Sequence, residues 1–313
     1  MAQPMNDVHV AKVLSEYATQ YKQDQKWFIS NAVAPVVNVE KTTDKYFVYD
    51  RNAWRVTESA RLAGDKSNKG IRAKLSTDQF YITEHALHDY VPWRTMNEQD
   101  APVNQLEDAV TDLSSQLMIE QDQLLASRIY TTTGVNSSVS ITAATKWDAT
   151  TTSAPITDMD TGIDAVAAAC GVDANVAIMG KQVWIKLKRH STIVDLIKYT
   201  QKGIVTTDLV AALFNLDNIY IGGSIQMGND EGISSDSVAY IWGKRVVLAY
   251  SPSQVTTKSL SYMKTFALND LSGLQVRQVS CPTRKSDMIE VETSYDMKIV
   301  NTACGYLIVD PVV

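Results

Sequence analysis

His85 and His88 stand three apart in the run EHALHD, a spacing that on a helix could hold a metal ion together with Glu84 or Asp89. No third ligand follows at a usable spacing and the segment reads as half extended, so a small metal-dependent hydrolase is only a third reading. His190 closes the basic run KLKRH and is expected to cap a helix C-terminus, and His9 lies in the N-terminal tail. Gly222 and Gly223 follow an apolar run, but GGSIQMG lacks the glycine spacing of a dinucleotide loop. There is no Walker sequence and no GxSxG elbow. Cys170, between Ala and Gly at the end of an apolar helical stretch, suits a packed thiol better than a nucleophile. Asp158 and Asp160 are explained by their place at a helix start. Nothing assembles a nucleophile, a base and an orienting group, so no catalytic residue and no cofactor is assigned.

The elements that carry these residues follow one another in a distinct order. Val10, Val13, Leu14, Tyr17 and Tyr21 recur at helical spacing, and the stretch from 27 to 41 crosses Pro35 as an extended arm ending in a strand. Two strand-forming stretches, KYFVYDRNAW and GIRAKLSTDQFYITEHAL, flank the polar segment SARLAGDKSNKG, which predicts a long hairpin. Such a hairpin is marginal alone and must rest on something else. Residues 100–130 carry Leu106, Val110, Leu113, Leu117 and Leu124 on one stripe, with Asp100 and Pro102 as start signals, and predict a rod of about 45 Å. Twelve Ser or Thr among residues 131–153 mark a linker, beyond which helices and strands alternate. In that part SVAYIWGKRVVLAY is expected to be a hairpin turning near Gly243, and residues 222–236 a mobile loop. Finally Ile289, Val291, Tyr295, Met297 and Ile299 alternate with polar residues, predicting a long strand with one buried face that lies on the long helix.

With 313 residues, 45% of them apolar and 20% charged, the chain has the composition of a globular protein with one or two cores. Three widely spaced cysteines fit reduced thiols, and no apolar run is long enough for a membrane span. The net charge of −6 argues against a dedicated nucleic-acid binder. That charge is unevenly spread. Between Asp44 and Lys74 eight Lys or Arg face four Asp or Glu, a local charge of +4, whereas between Glu84 and Asp122 nine acids accompany Arg94 alone, a local charge of −8. A basic hairpin beside an acidic rod can fold back within the chain or lie across a neighbouring copy. Complementary patches of this kind set the register and rate of association, and head-to-tail contacts that repeat close into rings or build shells.

This order of parts resembles the tailed-bacteriophage major capsid proteins of the Hong Kong 97 type. The stretches IKYTQKGIVTTDLVAALFNLDNIYIGG, AYIWGKRVVLAY and YDMKIVNTACGYLIVDPVV carry the likeness. The resemblance implies an α+β fold with an N-terminal arm (1–41), an extended loop (42–90), a peripheral domain (91–155 and 261–313) with spine helix 100–130, and an axial domain (156–260). It implies a head protein that assembles through hexamers and pentamers into an icosahedral shell around double-stranded DNA, held by weak non-specific contact. The expected inter-subunit contact sets Arg51, Arg55, Arg61, Lys66, Lys69 and Arg72 of the loop against Glu107, Asp108 and Asp112 of a neighbour's spine helix. Gly222, Gly223, Asn229, Asp230 and Glu231 are expected near the symmetry axes. Some members carry a helical scaffolding segment ahead of the arm; none is expected here, which implies a separate scaffolding protein beside portal and decoration proteins. Assembly in the host bacterial cytoplasm and residence in the virion follow from the same likeness, with no membrane partner. The alternative within this fold is an encapsulin-like compartment shell.

Overall fold

A computed structural model describes residues 23–57, 59–61, 66–98, 104–149, 152–197, 205–229, 237–256, 259–269 and 273–313. The expected helix within 8–22, the start signals Asp100 and Pro102, and Asp230 and Glu231 lie outside them. In chain order the elements are α1 (Ser30–Val33), β1 (Val36–Val39), β2 (Thr43–Tyr49), β3 (Leu75–Tyr81), β4 (Thr83–Pro92), α2 (Trp93–Glu98), α3 (Gln105–Ile129) and β5 (Ser137–Ser140). They continue with α4 (Pro155–Cys170), β6 (Val176–Gly180), α5 (Lys181–Leu187), α6 (Ser191–Ile197), α7 (Thr207–Leu213), β7 (Asn218–Gly222), β8 (Ile225–Met227) and β9 (Val238–Tyr240). The last are β10 (Arg245–Ala249), β11 (Met263–Leu268), β12 (Gln275–Cys281), β13 (Ser286–Ile299) and β14 (Gly305–Val309).

Two five-stranded sheets organise the described residues. In the first, β1 runs parallel to β11, and β13 pairs antiparallel with β11, β12 and β4. The alternation in β13 sends Ile289 and Val291 onto Leu113 and Leu117 of α3, with Leu106 and Val110 packed beside them. The apolar stripe of the rod and the buried face of the strand therefore meet, as their periodicities require. Further along β13, Ser294 and Asp296 are buried as well, so the polar face is not uniformly wet. Asp296 is covered because it accepts from the Tyr81 backbone N–H and from Arg128 Nη1, both at 3.0 Å.

The second sheet has the order β5, β14, β10, β6, β7. All five residues of β6 are buried, which explains why VAIMG is a continuous apolar run rather than an alternating one. Its glycine is forced by proximity: a Cβ on Gly180 would lie 1.9 Å from the Gly243 carbonyl oxygen. At the end of β7 a Cβ on Gly222 would fall 2.1 Å from Cγ of the fully buried Trp242.

Four expectations are corrected. The hairpin is β2 paired with β3 and closes at Tyr81; the residues after it, taken as part of an extended loop reaching 90, form β4, which pairs with β13 from Thr83 to Pro92. The chain around Gly243 does not make a hairpin. Gly243 turns at φ +48°, but β9 pairs with β8 whereas β10 enters the second sheet between β6 and β14, its residues apolar enough to be buried on both faces. The tail does not complete the first sheet. β14 joins β10, and β5 from the Ser/Thr-rich stretch adds to its other side, so 137–140 and 305–309 belong with the α/β part rather than with a peripheral unit bounded at 155 and 261. His190 does not end a helix: its Nδ1 accepts from the Thr192 N–H at 3.3 Å, ahead of α6, and Nε2 meets Ser153 Oγ at 2.8 Å. Burial holds its pKa below the ordinary histidine value.

Gly222→Ala and Gly180→Ala should each cost roughly 1–3 kcal/mol or more, because ring and backbone must move to admit one methyl group. Gly70→Ala, where nothing lies within 4 Å, should leave the urea midpoint unchanged.

Candidate assembly site

The hairpin β2–β3 is held firmly at its base and exposed beyond it. Phe80 stacks on Phe266 of β11 at 4.5 Å between ring centroids, and Tyr46 packs against the same ring at 5.5 Å. Val37 and Ile82 complete this small core. Tyr46 Oη donates to Asp78 Oδ2 at 2.6 Å, and Lys298 Nζ reaches the same carboxylate at 3.1 Å and the Gln79 carbonyl oxygen. The hydrogen bond from Tyr46, with help from Lys298, holds the Asp78 carboxyl below the ordinary aspartate value, and burial works against that. Toward the tip, Phe47, Tyr49 and Leu75 are each more than half exposed and Val56 is fully exposed. A ribbon this apolar, presented to solvent on a rigid base, has the character of a surface meant to be covered.

Arg51, Arg55, Arg61, Lys66, Lys69 and Arg72 are all exposed along this segment. Glu107 and Asp112 are exposed on α3 and Asp108 is half-buried, with Glu107 and Asp108 in the first turn, where the helix dipole favours acids. Among the described residues no ion pair joins Arg51, Arg55, Lys66, Lys69 or Arg72 to Glu107 or Asp108. The hairpin's contacts with its own chain include β1, β11 and β13 at the base and Gly171, where the Trp54 ring lies against the C-terminus of α4.

The histidine pair does not converge. His85 and His88 sit on β4, where a spacing of three puts them on opposite faces. His85 stacks on Tyr295 at 4.6 Å and meets Glu120 at 3.1 Å, while His88 lies edge-on to Tyr90. Among the described residues no group of three His, Cys, Asp or Glu could hold a metal ion. Gly222 and Gly223 are also not free loop residues. Gly222 lies under Trp242, Gly223 under Trp27, and β8 and β9 pair just beyond, with Asn229 half-buried after the ribbon's first strand.

A buried centre that the sequence reading missed joins the parts. Asp122 of α3 is fully buried. Its Oδ1 accepts from the Ser30 N–H of the arm at 3.1 Å, and its Oδ2 accepts from Ser224 Oγ at 2.7 Å and Trp242 Nε1 at 3.0 Å. Burial raises its pKa, and the donors from Ser224, Trp242 and Ser30 counter that rise. Beside it Gln23 exchanges two hydrogen bonds with the backbone of Ile225, and Lys181 lies over the Trp27 ring at 4.2 Å. The available signal was an acid in register with Leu125, Ala126 and Ile129, heading an otherwise apolar stripe.

The family model for phage major capsid protein E matches residues 113–227, from the middle of α3 to β8. The chain is 28% identical over 248 residues to the major capsid protein of Burkholderia phage BcepMu, covering 78% of this chain and 77% of that one. A phage-related protein from Bordetella bronchiseptica RB50 superposes with a TM-score of 0.72 at 21% identity, covering 96% of each chain. The capsid of Cyanophage P-SCSP1u does so with a TM-score of 0.60 at 11% identity, covering 99% of this chain and 95% of that one. The chain is a phage major capsid protein with the Hong Kong 97-type fold. As a capsid protein it is a structural component of the virion capsid. The hairpin, α3 and the Asp122 centre are thus parts of a capsid subunit, and the phage reading stands ahead of the encapsulin-like alternative.

Asp122→Ala strands three buried donors and should cost about 3–5 kcal/mol in urea unfolding, and Asp122→Asn less. Because the folded-state pKa of Asp78 is depressed, its contribution is present above the unfolded value of 3.8 and is lost as pH falls through the lower folded value. Tyr46→Phe should move the Asp78 midpoint up toward 3.8 in a carboxyl NMR titration.

Proposed function

We propose that this capsid subunit assembles through hexamers and pentamers into an icosahedral shell that encloses double-stranded DNA, and that hairpin β2–β3 is the strap that ties each subunit to the next. The observation that carries this reading is the hairpin itself, clamped at Asp78 and Phe266 and then exposing apolar and basic side chains to solvent. Laid over a neighbour, Arg51, Arg55, Arg61, Lys66, Lys69 and Arg72 face Glu107, Asp108 and Asp112 of the adjoining α3. Charge fixes the register and speeds the encounter, while the aromatic and aliphatic side chains supply the burial. The segment from Gly222 through Asn229, continuing into Asp230 and Glu231, is assigned to the region around the symmetry axes.

The net charge of −6 supports weak, non-specific contact with packaged DNA, since a container must hold its contents without gripping them. A separate scaffolding protein, a portal and decoration proteins are the further partners, with assembly in the host bacterial cytoplasm before the shell enters the virion.

Removing residues 55–74 should leave folded, soluble subunits that form no shells by negative-stain microscopy; normal particles would refute the strap. The triple change Arg55→Glu, Lys69→Glu, Arg72→Glu should slow assembly about tenfold or more at low salt, judged from charge-steered association. Combining it with Glu107→Lys, Asp108→Lys and Asp112→Lys should restore the rate. Failure of that rescue while deletion still blocks assembly would keep the strap and reject its acidic partner.

A further inference from the structure

Two of the three cysteines meet. Cys170 is the last residue of α4, and Cys304 ends the short 3-10 turn Thr302–Cys304 that leads into β14; both are buried. The helix and the turn pack against each other. The two thiols are near enough to act on each other electrostatically, and Cys170 Sγ donates to the Val172 carbonyl oxygen at 3.1 Å. Cys281 stands apart on β12 of the other sheet, partly exposed.

The hairpin reaches the Cys170 end of α4. Gly171, next to Cys170, turns at φ +74°, and a Cβ placed there would meet the Trp54 ring at 3.0 Å. Trp54 is itself 58% exposed, so this contact is a single ring resting on the surface rather than part of a core. Burial and the neighbouring thiol hold the Cys304 thiol above its ordinary range, while the Arg51 guanidinium of the same hairpin pulls it down. The segment thus brings a ring beside Cys170 and a positive charge near Cys304.

We propose that Cys170 and Cys304 form an oxidisable pair that closes to a disulfide in an oxidising medium, fastening α4 to the tail strand β14, and that the hairpin segment Arg51–Trp54 gates the reaction. The oxidant is a small disulfide such as oxidised glutathione. Cys170 gives up its proton and its thiolate attacks one reagent sulfur; the reagent S–S bond breaks, a mixed disulfide forms and the first reagent thiolate leaves. Cys304 then gives up its proton and attacks the Cys170 sulfur, displacing the second reagent thiolate. The two displaced thiolates take up the two protons, so the protein loses two hydrogens and the reagent becomes two thiols. Oxidation joins residues 134 positions apart in sequence, a long closed loop of the kind that restricts the unfolded chain most. A subunit made in a reducing compartment would then gain the lock only after release.

The test uses the full-length chain, incubated natively with oxidised glutathione, alkylated, digested and mapped by mass spectrometry. The expected product joins the Cys170 and Cys304 peptides, two hydrogens lighter than the separate thiols, with a melting temperature higher by roughly 5–10 °C that reductant abolishes. Trp54→Ala should speed closure about tenfold with the same product, since it removes an exposed cover and no core residue. Cys170→Ser and Cys304→Ser, checked for folding by circular dichroism, should each abolish the thermal shift. Recovery of both cysteines as separate alkylated thiols, or pairing with Cys281, would overturn the proposal. Equal rates in wild type and Trp54→Ala would overturn the gate. Because the readout is chemical and needs no particle, failure here leaves the shell reading untouched.

Discussion

One helix has to serve two cores, and most of the architecture follows from how α3 manages this. Its first half lays Leu113 and Leu117 on β4 and β13, and its second half lays Leu125, Ala126 and Ile129 into the core of the α/β sheet. At the change of stripe stands Asp122, a carboxylate removed from water. A buried carboxylate persists only if it is fully hydrogen-bonded, and its donors come from the arm, from the segment after β7 and from the residues before β10. Three segments distant in sequence are therefore fixed to one point. Burial alone is non-directional and would tolerate sliding of the two sheets along the helix; these hydrogen bonds set the angle and distance at which they sit.

The same division explains why the hairpin is stiff where it begins. Phe80, Tyr46 and Phe266 make a small core of their own beside β1, and Asp78 gathers Tyr46 and Lys298 just above it. On β13 Ile289 and Val291 pack on α3, while Asp296 accepts from the hairpin base at Tyr81 and from Arg128 in the last turn of α3. A projecting ribbon can act on a neighbour only if its root does not swivel. The aromatic stack resists bending and the carboxylate resists twisting, so the direction of the tip is set by residues buried at its foot.

Periodicity made the long elements legible. The stripe of α3 from Leu106 to Leu117 and the alternation of β13 were readable because each pattern repeats over many residues and each face has one neighbour. What escaped was pairing. Nothing local in SVAYIWGKRVVLAY tells whether its two strands pair with each other or part at Gly243, because a positive-φ turn serves either course. The tail GYLIV reads equally well as an edge of either sheet, and partner choice rests on the fit of Tyr306 and Leu248 over the glycine of α4, Gly162. The charge contrast between hairpin and helix was visible in composition, whereas Asp122 was hidden because a single acid in a helix usually faces water.

The positions of Trp27, Trp54 and Trp242 show how the molecule joins elements that share no backbone ladder. Trp242 fills the space left by Gly222 and donates to Asp122; Trp27 lies over Gly223 with Lys181 on its ring; Trp54 reaches Gly171 from the hairpin. In each case a large flat side chain rests on a residue with no side chain, which lets ring and backbone approach within van der Waals distance and brings much area into contact. The three contacts differ in burial, and that difference carries a physical meaning. Trp242 is sealed within the core and cannot leave without unfolding, whereas Trp54 keeps more than half its surface in solvent and has little to lose on lifting. The Trp242 joint is thus permanent, while the Trp54 contact is held by little buried area even though the root of its hairpin is fixed.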